Sequence, residues 1–173
     1  MSNTHNGLGG VVLIRDVSTQ IVLNGGTFDN AVLDFNLDPV KFGNVDWFSY
    51  VPNDNKITTY AGESIVRVDA SIMLNSTDGA TSFCERYNGA LYPLINGARI
   101  SFGGNDLRFG NCYLRSVGAL GNEFWVGGSL IIPQTVAAST ELSLEIQQMH
   151  GTTAGVDEVR MEIGSTCTWE RIG

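Results

Sequence analysis

The stretch Ser64-Ile65-Val66-Arg67-Val68-Asp69-Ala70-Ser71-Ile72-Met73-Leu74 decides the fold class. In an extended chain Val66, Val68, Ala70, Ile72 and Leu74 fall on one face, and Arg67, Asp69 and Ser71 fall on the other. A repeat of two belongs to a half-buried β-strand. It returns over residues 141–147, where Leu142, Leu144 and Ile146 alternate with Glu141, Ser143, Glu145 and Gln147. It returns again over residues 157–163, with Val159, Met161 and Ile163 set against Glu158, Arg160 and Glu162. Residues 136–149 would suit a helix by propensity alone. A helix would scatter Leu142, Leu144 and Ile146 around its circumference, however, so strand is preferred.

Working outward, turn signals separate further short runs. Asn6-Gly7, Asn24-Gly25, Asp78-Gly79, Asn88-Gly89 and Asn96-Gly97 are Asx-Gly pairs suited to tight turns with positive φ. Gly103-Gly104, Gly121-Asn122 and Gly127-Gly128 predict more bends or bulges. Between them lie β-branched and aromatic runs at residues 27–35, 45–51, 98–102, 107–115, 124–132 and 166–172. Many short strands at this spacing predict a sandwich or barrel. No segment joins a helix cap to a long stripe of period 3.6.

Composition narrows the function. At 173 residues the chain fits one domain, and 43% hydrophobic content argues against disorder. Eighteen acidic against ten basic residues give a net charge of −8. That balance excludes a basic nucleic-acid footprint and a polybasic membrane surface. No apolar run approaches the roughly 20 residues needed to span a bilayer. The segment Met1-Ser2-Asn3-Thr4-His5-Asn6-Gly7 has neither the basic nor the apolar part of a signal peptide. Cys84, Cys112 and Cys167 form no CxxC or Cys/His cluster, so they are expected as free, mostly buried thiols and not as zinc ligands.

Residues 1–40, rich in Gly and Asn, are expected to form an extended N-terminal arm. Its two short apolar runs, Val11-Val12-Leu13-Ile14 and Ile21-Val22-Leu23 after Gln20, order against a partner or against the main domain. Residues 41–173 are expected to form the compact domain, closed by a strand over residues 166–172.

No catalytic set emerges. His5 falls in the arm and His150 beside Gly151 in an expected loop, and no GxSxG is present. A thiol pair of Cys112 or Cys167 with His150 has no supporting pattern. Glu141, Glu145, Glu158 and Glu162 alternate onto wet faces, although paired carboxylates could serve a small glycan hydrolase. Gly7-Leu8-Gly9-Gly10 lacks the strand-turn-helix setting of a phosphate loop. Asp29, Asp34 and Asp38 lack EF-hand spacing. No cofactor and no metal are therefore expected. Arg67, Arg99, Arg108, Arg115, Arg160 and Arg171 lie in expected strands, which predicts Arg–carboxylate contacts between strands or subunits. Adjacent bulky residues at Trp47-Phe48 and Phe124-Trp125 put apolar groups on both strand faces. Trp47, Phe48, Tyr50, Phe124, Trp125 and Trp169 are therefore expected at a subunit interface.

Several segments resemble the TNF/C1q-like jelly-roll domains of bacteriophage virion proteins. They are Val45-Asp46-Trp47-Phe48-Ser49-Tyr50, then Lys56-Ile57-Thr58-Thr59-Tyr60, then Ala61-Gly62-Glu63-Ser64 opening the long strand. Leu94-Ile95-Asn96-Gly97 and the run from Phe124 to Ile132 followed by residues 140–147 complete the pattern, and a final strand ends in Glu170-Arg171-Ile172. Ser64 stands where the family carries an aromatic residue. The resemblance covers residues 40–173. It implies an all-β antiparallel jelly-roll sandwich, a homotrimer, and a non-enzymatic role as a capsid decoration protein on a phage head. The partner would be the major capsid protein, gripped through Val11, Val12, Leu13, Ile14, Ile21, Val22 and Leu23. A fibre tip that binds a host-surface glycan is the alternative within the same fold.

Overall fold

The computed structural model describes residues 9–15, 19–24, 30–35, 40–43, 47–50, 55–60, 63–77, 86–115, 122–150 and 158–173. Their regular structure is all β and antiparallel, in two seven-stranded sheets and a small ribbon.

The first sheet is built around β7 (Val66–Thr77), the strand with the clearest alternation. Along one edge it pairs with β13 (Asn122–Ile131), from Ser76 opposite Asn122 to Arg67 opposite Ile131. Its other edge is shared by two strands lying end to end, β16 (Thr166–Arg171) and β15 (Glu158–Met161). Beyond β16 come β1 (Gly9–Ile14) and then β4 (Val40–Gly43). Beyond β15 comes β2 (Gln20–Asn24).

The second sheet runs β12 (Phe109–Arg115), β8 (Arg86–Ile95), β14 (Glu141–His150), β6 (Lys56–Thr59) and β5 (Phe48–Tyr50). The three-residue β3 (Asn30–Val32) also pairs with β14, and β9 (Ala98–Arg99) pairs with the end of β8. A separate ribbon joins β10 (Ser101–Phe102) to β11 (Asn105–Asp106). The fold is the expected antiparallel jelly-roll sandwich.

The core follows from the period of two. Val66, Val68, Ile72 and Leu74 of the first sheet meet Leu142, Leu144, Ile146, Leu91 and Ile57 of the second, all buried. Trp169 and Trp47 are the largest fully buried side chains. Each such group stabilises the fold by roughly 1.5–3 kcal/mol or more through removal from water. Cys167, opposite Leu13 and Ala70, is fully buried as expected. Burial pushes its thiol pKa upward, and the nearby Asp69 charge adds to the rise.

The expected boundary near residue 40 does not divide the described structure. β1 lies inside the first sheet, hydrogen-bonded to β16 on one side and β4 on the other, and Val11 and Leu13 belong to the core. Leu33 and Phe35 are core residues too. A run as short as Val11–Ile14 is stable here because β16 pairs it along its whole length and β4 pairs it as far as Val12, a tertiary contribution that local sequence does not carry. Residues 1–8 lie outside the described residues.

Two turn expectations also change. Asn88-Gly89 lies within β8, paired with β12 on one side and β14 on the other beside a register shift between Gln148 and His150. Gly127-Gly128 lies within β13. There a Cβ on Gly127 would run into the Ala70 carbonyl of β7, and β12 passes close enough that a Cβ on its Gly110 (φ 62°) would stand 2.8 Å from the Gly127 carbonyl oxygen. Asn96-Gly97 does form the predicted tight turn, with φ of 50° and 75°.

Candidate functional site

Two surfaces stand out, one on the outer face of each sheet. On the first sheet the outward positions are set by register. Trp125 of β13 lies opposite Met73, and Ile131 lies opposite Arg67. Across β7, Thr166 faces Ser71 and Thr168 faces Asp69. Beyond them lie Val12 and Ile14 of β1, then Val40 and Phe42 of β4. Trp125 is 56% exposed, Ile131 53% and Val40 54%. The Phe42 ring lies over Gly10, where an added Cβ would meet a ring carbon at 2.8 Å. Charges lie toward both ends of this face: Arg67 pairs with Glu170 and, at 3.0 Å, with Asp69 at one, and Arg160 of β15 stands opposite Asn75 at the other. The positions between those ends are small, uncharged or apolar.

The second sheet turns a polar network outward. Arg99 of β9 lies opposite Leu94, and its side chain crosses β8 with the guanidinium carbon 3.9 Å above the centre of the Tyr92 ring. Its Nε donates to Glu145 Oε1 at 2.8 Å, and Nη2 donates to the same oxygen. Nη1 donates to Gln147 Oε1 at 2.9 Å and to Asp106 Oδ2 at 3.3 Å. Ser101 Oγ donates to the other Asp106 oxygen at 2.5 Å. Burial disfavours the Arg99 charge, but the bond to Glu145 and its Coulombic attraction outweigh that and raise the pKa further. Asp106 moves the other way: the Ser101 hydroxyl first, then Arg99, hold its pKa below the usual carboxylate value.

One guanidinium thus ties together β9, β14 and the β10–β11 ribbon. The ribbon turns at Gly103 and Gly104, both with positive φ, and its tip shelters a cavity of about 530 Å³. Tyr92, Arg99, Asn105, Asp106, Arg108 and Gln147 line it, with Gly104 at the turn.

The expected site residues distribute as follows. Trp47, Phe48 and Trp169 are buried within the subunit, and Trp47 and Phe48 pack edge to face at 5.0 Å. They are core residues and do not reach a subunit interface. Tyr50 and Phe124 pack against the same core. Of the six aromatics Trp125 alone points outward, because the strand period sends Phe124 in toward Leu74 and Trp125 out. Val11, Leu13 and Val22 are likewise taken by the core, while Val12 and Ile14 are half-buried on the outer face. The Val11–Ile14 segment is paired with β16 along its whole length and with β4 as far as Val12, so it is a strand of this chain's own sheet, and Val11 and Leu13 are not open to a partner. Ile21 and Leu23 lie on β2, whose side chains at those positions are outside the described residues, as are His5, Cys84, Asp29 and Asp38.

Expected Arg–carboxylate contacts are present at Arg67 and Arg99, joined by Arg15–Asp34 at 3.2 Å. The four alternating glutamates do not converge: Glu141 and Glu145 are on the second sheet, Glu158 and Glu162 at β15 of the first. Glu141 bonds Lys56 at 2.6 Å. Four residues along a strand separate Glu141 from Glu145 by about 13 Å, beyond the roughly 5–9.5 Å of glycosidase pairs. Asp106 and Glu145 do share Arg99, but Asp106 is held ionised, the opposite of what a general acid requires. Among the described residues no group of His, Cys, Asp and Glu could hold a metal. Sequence reading missed the cavity because its parts are spread over residues 92–147 and meet only through the β8–β9 hairpin. The paired Gly103-Gly104 was the local signal for the ribbon.

The fold places this chain among antiparallel jelly-roll proteins. Among solved structures it is similar to an Eiger TNF from S. frugiperda, with a TM-score of 0.47 and 8% identity over 95% of this chain and 92% of that one. It is also similar to murine APRIL at pH 8.5, with a TM-score of 0.45 and 8% identity over 95% of this chain and 99% of that one. No family model and no curated protein matches the sequence.

Proposed function

We propose that this protein acts by binding and not by chemistry, as a homotrimeric decoration protein on a phage capsid. One observation carries the self-association: Trp125, Ile131, Val40 and Phe42 lie exposed on a single sheet face whose middle is small and uncharged, with charges toward its two ends. An apolar sheet face of this kind needs cover. Packing three copies through it would hide it at the scale of a standard interface, about 1,200–2,000 Å². Loss of rotational freedom and ordering of side chains offset much of the hydrophobic gain, so the trimer is expected to depend on its few large anchors, Trp125 first.

The virion role is supported by the sequence pattern of residues 40–173. The partner is the major capsid protein of a phage head. Adhesion through an added strand is available to β2, which has β15 on one side and no strand on the other among the described residues. A net charge of −8 keeps the free protein soluble.

Size-exclusion chromatography with light scattering tests the first half. The wild type is expected at three chain masses at micromolar concentration and Trp125→Glu at one; a monomeric wild type overturns the trimer. Co-sedimentation with phage heads stripped of decoration tests the second half. Retention that is lost on deleting residues 20–24 supports the capsid role, and absence of retention removes it.

A further inference from the structure

We propose that the cavity under the β10–β11 ribbon is a binding site for a neutral saccharide. The cavity belongs to the opposite sheet from the face assigned to self-association, and the inference does not rest on that assignment. Its volume of about 530 Å³ lies within the roughly 300–1,000 Å³ of small-molecule sites. Its lining rules out an apolar ligand, because Asn105, Asp106, Gln147 and two arginines present polar termini.

Charge then selects among polar ligands. Arg99 and Arg108 are balanced by Asp106 and by Glu145, which bonds Arg99 from behind. Arg99 is already engaged by Glu145, Gln147 and Asp106, so its fork is not open for a phosphate or carboxylate. The chain's net charge of −8 repels anions at longer range. A cation is disfavoured by the two guanidiniums and by the prior bonding of both Asp106 oxygens.

What remains is a ligand whose groups both donate and accept without net charge. Asn105 offers an amide oxygen and an NH2, Gln147 offers its NH2 while its oxygen accepts from Arg99, and the Asp106 oxygens, with one bond each, keep lone pairs that can accept from a hydroxyl. Vicinal hydroxyls match such mixed planar termini. A peptide would be held mainly through the backbone of an edge strand, whereas this site offers side-chain ends. An apolar contact is at hand as well. Phe102 lies directly opposite Asn105 in the ribbon and is 47% exposed, so its side chain leaves the same face of the ribbon as that of Asn105 and is open to the C–H face of a sugar. The site is also built before any ligand arrives: Arg99 fixes the ribbon to β14, which lowers the ordering cost of binding.

The test uses the full chain, isotope-labelled, titrated by NMR with methyl α-glucopyranoside, methyl β-galactopyranoside and N-acetylglucosamine. Sialyllactose and inorganic phosphate are the anionic comparators. At least one neutral sugar is expected to shift amides of residues 99–108 and 147 saturably. Asn105→Ala and Phe102→Ala are each expected to weaken binding about fivefold or more, with unchanged melting temperature and mass. Trp125→Glu is expected to leave sugar binding intact, which separates failure of this site from failure of the trimer. Three results would overturn the proposal: no saturable shift with any of the neutral sugars, preference for the anions, or binding indifferent to both ribbon variants.

Discussion

The two sheets send the same kinds of residue inward and differ in what they turn outward. The first sheet shows Trp125, Ile131, Val40 and Phe42 among threonines, serines and glycines, with charges toward its two ends. The second shows Lys56 bonded to Glu141 and Arg99 bonded to three side chains above a buried Tyr92 ring. An outer face of the first kind gains by being covered with another apolar surface. One of the second kind has already met its own hydrogen-bonding needs and offers shaped polar space. The contrast teaches that alternation assigns residues to a face, while the outward set decides whether that face associates or recognises.

The contrast can be broken or sharpened by substitution. The largest effect is expected within the first sheet, where Trp169 points in and Trp125 points out. Trp169→Ala should destabilise by about 3–5 kcal/mol, lowering the melting temperature by roughly 6–20 °C. Trp125→Ser should leave the stability of the isolated chain within about 0.5 kcal/mol while shifting mass toward monomer. Equal losses in thermal melts of the two variants would erase the distinction between the faces of that sheet.

On the second sheet, Arg99→Met should cost about 2 kcal/mol, since it leaves the largely shielded Glu145 without its charged partner. Lys56→Met, which breaks a half-exposed pair on the same face, should cost less than about 1 kcal/mol in chemical denaturation. If the two cost the same, Arg99 is no special tether. The smallest effect is in pH. Because the folded-state pKa of Asp106 is depressed, its contribution is present above the ordinary carboxylate value and is lost as pH falls through the folded one. The ribbon tether should therefore persist through mildly acid solution and release only below the usual carboxylate range. Carboxyl NMR should find Asp106 titrating low, and Ser101→Ala should move it back up. Titration at or above the ordinary value would count against the tether.

How far the sequence revealed this depended on whether strands carried their own signal. β7, β14 and β15 were legible because their faces alternate without interruption. β1 and β4 were not, since six and four residues flanked by glycine acquire strand character only by pairing with β16 and with each other. β8 was legible only at its end, because Asn88-Gly89 imitates a turn and long-range pairing on both sides overrides it. On the outer face of the first sheet the adjacent bulky residues of β13 were read correctly as two-faced, and Trp125 does point out. The same argument failed at Trp47-Phe48, where Trp47 precedes β5 and is not bound by the strand's alternation, and both rings enter the core. The Arg99 network was legible only as a preference of arginine for carboxylates, since nothing local says which strand Arg99 will cross.

Cys167 carries a practical corollary. A thiol reacts as its thiolate, and this one is both enclosed and held protonated. In a variant with Cys84 and Cys112 replaced by serine, its alkylation would act as a clock. Colour develops only when the last strand detaches from its neighbours, so the rate of labelling reads how often the two layers part company.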